Sequence, residues 1–246
     1  MTKDLDSRNW YRYGSPRGFY PLAGRLIPWF AIAAAIACAA GLYLGLFVVP
    51  VDANKAEVAR IMFVCIPASW VEVIIFLAMA ASAGIGLRFN SPLAQMAAQA
   101  LAPTGLLFSF LDIWTDSLWI KPVWGFWWVW DLRTAADLTL ILLFIGFIGM
   151  HIIIEDLHRA NKAGFLVLLA GVLAVPAYAL SAHTWPVRYQ PSLLDAAGAG
   201  ELASLLAVSL GFLMYSGAVV LLRLRCVILE GERQGDLVAK LCGRAP

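Results

Sequence analysis

Residues 113–131 read IWTDSLWIKPVWGFWWVWD, and this stretch holds six of the ten tryptophans of the chain. Each indole joins a broad, rigid apolar face to one N–H donor, so a dense cluster forms an apolar surface that tolerates water at its edge. Pro122 and Gly125 interrupt any helical pattern, which predicts a shaped loop over residues 113–133, here termed the Trp segment. Such a surface suits a large, flat ligand.

The tryptophans have a second explanation, because Trp collects at membrane boundaries whether or not a ligand binds there. An interfacial belt distributes its aromatic residues over several helix ends, whereas these six fall within seventeen residues of one connection. We therefore favour a ligand platform over a belt. The six residues are Trp114, Trp119, Trp124, Trp127, Trp128 and Trp130.

The composition is that of a polytopic membrane protein, since 61% of the 246 residues are hydrophobic and only 14% are charged. Six stretches are apolar over the length of about 20 residues that a hydrocarbon core requires. They cover residues 26–51, 61–87, 89–111, 134–154, 163–187 and 202–222. The sequence therefore predicts an all-α fold with six transmembrane helices. The Trp segment joins the third helix to the fourth on the outer face.

The positive charges give this bundle an orientation. Thirteen of the eighteen Lys and Arg residues fall on the side of the N-terminus, which by the positive-inside rule is cytoplasmic. We expect a bacterial inner-membrane protein with both termini in the cytoplasm and the Trp segment in the periplasm. Three parts follow: an amphipathic N-terminal segment (1–24), a membrane domain (25–225) and a C-terminal tail (226–246).

Ionisable residues inside spans are costly and mark candidate sites. Glu72, in the second span, either has a functional role or is a neutral Glu bonded to a carbonyl freed by Pro67. Asp112 and Asp116 stand one helical turn apart and can bind a cation, although solvation is the favoured reading. A metal or proton site built from Cys65, Glu72, Asp112 and Asp116 is a weaker alternative.

Two further patterns concern packing. Gly41 and Gly45 form a small-xxx-small pair, which indicates close approach of a neighbouring helix. His151, at the end of the fourth span, is interpreted as a snorkelling or packing residue rather than a ligand. No residue pattern pairs a nucleophile with a base or forms a phosphate loop, so we expect binding rather than catalysis.

The string KPVWGFWWVWD at residues 121–131 resembles the WWD signature of the CcmC branch of haem-handling proteins in cytochrome c maturation. The resemblance covers roughly residues 20–240 in order, including Ile-Pro-Trp at 27–29, Ala-Pro-Thr-Gly at 102–105 and Arg-x-Arg at 223–225. It implies an outer platform on which haem b lies, for handover to the haem chaperone CcmE alongside CcmA, CcmB and CcmD.

The resemblance also implies site residues. In the family, two histidines flank the platform as axial ligands of the haem iron. The corresponding positions here are Cys65 and Tyr189, and His183 is a further candidate. The implied platform consists of Trp119, Trp124, Trp127, Trp128, Trp130 and Asp131.

The replaced histidines leave a second function open. Glu72, Asp112 and Asp116 stand where the family is apolar or small, which makes the outer region more acidic. The alternative is a haem-free CcmC-like paralogue that serves as a structural or assembly subunit of a respiratory or photosynthetic membrane complex. Its Trp surface would then seat a partner protein, a quinone or a lipid.

Overall fold

The structure is a computed structural model that describes residues 16–49, 60–130, 132–154, 156–172 and 198–241. Within these ranges the regular structure is helical, and strands are absent. The helices are α1 (Pro16–Tyr43), extended by a π-helical turn (Leu44–Val48), α2 (Met62–Arg88), α3 (Pro92–Trp124), α4 (Leu132–Ile153), α5 (Leu157–Val172) and α6 (Ala199–Leu241).

Five of the described stretches are long and apolar enough to cross a membrane. They are Phe19–Val48, Met62–Arg88, Pro92–Pro122, Leu132–Ile153 and Ala199–Gly231. These confirm the all-α membrane fold and five of the six predicted spans. Helix α5 covers the start of the remaining one, predicted at 163–187, whose continuation lies outside the described residues.

The predicted boundaries at residues 24 and 225 both fall inside helices. Helix α1 already begins at Pro16, and α6 continues to Leu241. Helices α1 and α6 contact each other near these two boundaries. The Arg225 guanidinium on α6 lies 4.2 Å from the centre of the Tyr20 ring on α1. Residues 16–24 therefore belong to the first helix, while residues 1–15 lie outside the described part of the chain.

The Trp segment is more helical than predicted. Helix α3 continues to Trp124, so the expected loop over 113–124 is wrong and the non-helical part is 125–130. Thr115 and Ser117 bond to carbonyls of the preceding turn, which keeps their hydroxyls satisfied within the helix. The helix ends at Gly125, whose left-handed φ of 77° suits glycine and whose N–H donates to the Lys121 carbonyl at 2.9 Å.

Small residues set the distance between helices α1 and α6. The Ser204 hydroxyl donates to the Gly41 carbonyl at 2.7 Å, and a Cβ on Gly41 would overlap Val208. Gly45 similarly faces Ser204 and the Phe63 ring. The predicted close packing at Gly41 and Gly45 is confirmed, and it joins the first helix to the last.

The centre of the bundle is an aromatic core between α2, α3 and α4. Phe76 and Phe144 meet edge to face, with ring centroids 5.8 Å apart, and both are fully buried. Gly105 on α3 leaves room for the Phe144 ring, since a Cβ there would collide with it. This packing holds together the three helices that carry the site described below.

We expect Gly105→Ala to lower the free energy of unfolding by about 1–3 kcal/mol, because the added methyl overlaps the fully buried Phe144 ring. The matched control is Gly149→Ala on α4, where a Cβ meets no atom of the described residues within 4 Å. Thermal unfolding in detergent micelles measures both variants. Equal stability of the two would contradict the packing described for Gly105.

Candidate functional site

The non-helical residues 125–130 display aromatic rings at one end of the bundle. Trp127 is 57% exposed and Trp130 is 76% exposed. Trp128 is half-buried and meets Trp130 edge to face, with centroids 5.5 Å apart. An indole surface of this kind can be covered by an apolar, planar partner.

Lys121 places a positive charge beside this surface. Its ammonium lies 5.0 Å from the centre of the Trp127 ring and donates to the Gly125 carbonyl at 3.3 Å. A cation next to exposed indoles favours a ligand that combines an apolar body with an anionic group. Within the described residues, the buried indole nitrogen of Trp128 has no hydrogen-bond acceptor.

Only some of the platform residues predicted from the sequence lie on this indole surface in the described structure. Trp119 is half-buried near the end of α3, and Trp124 closes that helix. The Trp124 side chain, together with Asp131, His183 and Tyr189, lies outside the described part of the structure. The surface formed by Trp127, Trp128 and Trp130 is therefore the described part of the platform.

A second group of residues lies at the same end of the bundle, where α2 begins, α3 ends and α4 begins. Glu72, Asp112 and Asp137 are at most 1% exposed, and one carboxylate oxygen from each lies within 4.8 Å of the others. We refer to these three residues as the carboxylate cluster. The prediction that Asp112 is solvated is wrong, because α3 remains helical there and brings this side chain between neighbouring helices.

The neighbours of the cluster come from three helices. Ser109 donates to Glu72 Oε1 at 2.5 Å, so Glu72 bonds to a hydroxyl on α3 and not to a carbonyl near Pro67. The Cys65 thiol donates to Asp112 Oδ1 at 3.4 Å. Cys65, the candidate haem ligand of the sequence analysis, therefore lies at the carboxylate cluster.

Arg133 supplies the cation of the cluster. Its Nη2 lies 3.6 Å from Asp112 Oδ1, its Nε lies 3.9 Å from Asp137 Oδ2, and its Nη2 lies 3.8 Å from the Cys65 sulfur. The two contacts with carboxylates are long ion pairs rather than short hydrogen bonds, and in the third Arg133 donates a weak hydrogen bond to the sulfur. The sequence analysis did not single out Asp137 or Arg133, although their i,i+4 spacing on a helix was a usable signal.

His151 marks the opposite end of the bundle. Its Nδ1 lies 2.9 Å from the Phe147 carbonyl oxygen and its Nε2 lies 3.0 Å from Asn161 Oδ1. Asn161 in turn donates to Gln95 Oε1 at 2.7 Å. His151 is therefore part of a polar network between helices, which confirms its interpretation as a packing residue.

Comparison with known proteins identifies relatives over nearly the whole chain. The family model described as CcmC, heme exporter protein C, matches residues 9–239. A heme exporter protein C of Escherichia coli is 33% identical over 228 residues, which cover 92% of this chain and 93% of that protein. A protein of the same name from Haemophilus influenzae is 30% identical over 93% of this chain and 95% of its own length. One from Rhodobacter capsulatus is 30% identical over 78% of this chain and 87% of its own length. The chain belongs to the heme exporter protein C family.

Proposed function

We propose that this chain binds haem on the surface of the Trp segment and presents it for cytochrome c biogenesis. The observation that carries the proposal is the exposed pair Trp127 and Trp130 beside Lys121. The indoles match the flat porphyrin, and the ammonium suits a propionate. The names of the relatives, heme exporter protein C, agree with this cargo. The protein acts by binding and handing over its ligand rather than by making bonds.

The cargo is haem b, and Cys65 and Tyr189 are its iron ligands in this proposal. A Cys thiolate and a Tyr phenolate are both established types of haem ligand. The remaining contacts come from the tryptophan rings, with Asp131 closing the platform. They are Trp119, Trp124, Trp127, Trp128 and Trp130.

The distribution of Lys and Arg supports an orientation in which both termini are cytoplasmic and the Trp segment faces the periplasm of a bacterial inner membrane. In this orientation the haem is presented on the outer face. Its recipient is a CcmE-like chaperone, and CcmA-, CcmB- and CcmD-like components are the membrane partners.

One observation favours a second function. Cys65 lies against Asp112, one of three clustered buried carboxylates, and an incoming haem brings two further negative charges on its propionates. In the alternative, the chain holds no haem and is a structural or assembly subunit of a membrane redox complex. Co-purification with a redox enzyme rather than with a CcmE-like chaperone would support this alternative.

The test of the first function is a titration of the purified chain with hemin. Leucine at both positions 127 and 130 removes two exposed indoles without burying a new polar group. We expect Trp127→Leu combined with Trp130→Leu to weaken hemin binding roughly tenfold or more, because each lost aromatic contact costs about 0.5–1.5 kcal/mol. Binding is followed by the change in the Soret absorption.

The matched control is Trp29→Leu, since Trp29 is 73% exposed but lies on α1, away from the Trp segment. It should bind hemin as the unaltered chain does. Equal affinity of the double variant and the unaltered chain would exclude Trp127 and Trp130 as the platform.

A further inference from the structure

The carboxylate cluster has oxygens that the protein itself leaves unsatisfied. Among the described residues, there is no hydrogen-bond partner for Glu72 Oε2, Asp112 Oδ2 or Asp137 Oδ1. All three side chains are at least 99% buried, so bulk water does not replace the missing partners. A buried carboxylate oxygen without a partner is costly, and three in one place indicate a missing positive partner.

The charges lead to the same conclusion. Within the described residues, the guanidinium of Arg133 pairs with two of the three carboxylates, those of Asp112 and Asp137. Arg133 approaches Asp112 Oδ1 and Asp137 Oδ2, and the oxygens without a partner are the other oxygen of each carboxylate. A divalent cation at the cluster would compensate the negative charge of its ionised carboxylates.

We propose that the carboxylate cluster binds one divalent metal ion through oxygens of Glu72, Asp112 and Asp137. The ligands are hard carboxylate oxygens, which are the donors that Ca²⁺, Mg²⁺ and Mn²⁺ prefer. Their separation of up to 4.8 Å fits an ion with bonds of about 2.3–2.6 Å, the range of Ca²⁺. The ion joins α2, α3 and α4 at the end of the bundle that carries the Trp segment.

Two neighbours position these ligands without binding the ion. Ser109 donates to Glu72 Oε1 and thereby leaves Oε2 for the metal. The Cys65 thiol donates to Asp112 Oδ1 and leaves Oδ2 for the metal. Each bond fixes the orientation of a ligand, as hydrogen bonds around metal sites commonly do.

The experiment uses Mn²⁺ as the probe, because it prefers oxygen ligands and its free form gives a strong EPR signal. The full chain is purified in detergent micelles without haem and titrated with Mn²⁺. We expect about one Mn²⁺ per chain to lose the free-ion signal, and Ca²⁺ to displace it. Absence of stoichiometric binding would overturn the proposal.

Three isosteric variants test the ligands: Glu72→Gln, Asp112→Asn and Asp137→Asn. Each should weaken Mn²⁺ binding by at least about tenfold, since loss of a ligand costs no less than loss of its supporting hydrogen bond. A cooperative thermal transition without metal checks that each variant folds, and Mn²⁺ should raise the unfolding temperature of the unaltered chain and not that of the variants. Unchanged affinity in all three variants would overturn the assignment of the ligands.

Two controls separate this site from other acids and from haem binding. Asp156→Asn alters an exposed acid at the opposite end of α4 and should leave Mn²⁺ affinity unchanged. Cys38→Ser alters a cysteine on α1, outside the carboxylate cluster, and should also leave Mn²⁺ affinity unchanged. Because the titration contains no haem, its failure leaves the haem proposal standing, and failure of haem binding leaves the metal site standing.

Discussion

Replacing Arg133 with Met is expected to lower the free energy of unfolding by about 3 kcal/mol, measured in the presence of a chelator. The variant removes the cation next to Asp112 and Asp137, which are almost completely buried. Carboxylates left without a partner in a bundle core must either stay charged at high cost or take up a proton. The estimate is at the lower end of the range for a broken buried pair because 22% of the Arg133 side chain is exposed.

The destabilisation should be partly reversed in the double variant that also carries Asp112→Asn, since one of the two stranded charges is then absent. Arg159→Met is the matched control. Arg159 pairs with Asp156 at 3.3 Å, but the two side chains are 82% and 54% exposed, so the loss should stay below about 1 kcal/mol. Equal losses for Arg133→Met and Arg159→Met would show that the cluster contributes no more than a surface ion pair.

The second large effect is on haem content. If Cys65 and Tyr189 ligate the iron, Cys65→Ser and Tyr189→Phe should each lower the haem retained after purification by about tenfold or more, because each removes one axial ligand. Serine keeps a hydroxyl that can donate to Asp112, so the fold around position 65 is preserved while the sulfur is lost. Haem content is measured by the pyridine haemochrome absorption.

The controls use the same residue types elsewhere in the membrane helices. Cys38→Ser and Tyr215→Phe alter residues on α1 and α6 and should retain the haem content of the unaltered chain. Full haem retention in Cys65→Ser and Tyr189→Phe would exclude both residues as ligands. It would leave the tryptophan surface as the only proposed contact.

The spans could be predicted because their signal is local. An apolar run of about 20 positions with at most one charged residue has few structural alternatives, and five such runs match described helices. The end of α3 was predicted wrongly because two residues that weaken a helix lie close together there. Pro122 and Gly125 both weaken a helix, but only Gly125 adopts a left-handed conformation, and Pro122 is accommodated three residues before that end.

The carboxylate cluster was only partly predictable because its members are far apart in sequence. Cys65 and Asp112 are separated by 47 positions and bond across two helices, whose relative rotation no local pattern specifies. The sequence indicated that Glu72 and Asp112 are unusual, since acids in spans are costly. It did not indicate that Asp137 completes the group or that Arg133 faces it, because both depend on how α4 packs against α3.

The central claim is that this chain carries haem at its Trp segment. The most direct measurement is the visible spectrum of the unaltered chain, purified in detergent from haem-replete cells. The account predicts a Soret band and quenched tryptophan emission, because a porphyrin stacked on indoles accepts their excitation energy. Absence of a Soret band, with no binding of added hemin and unchanged tryptophan emission, would contradict it.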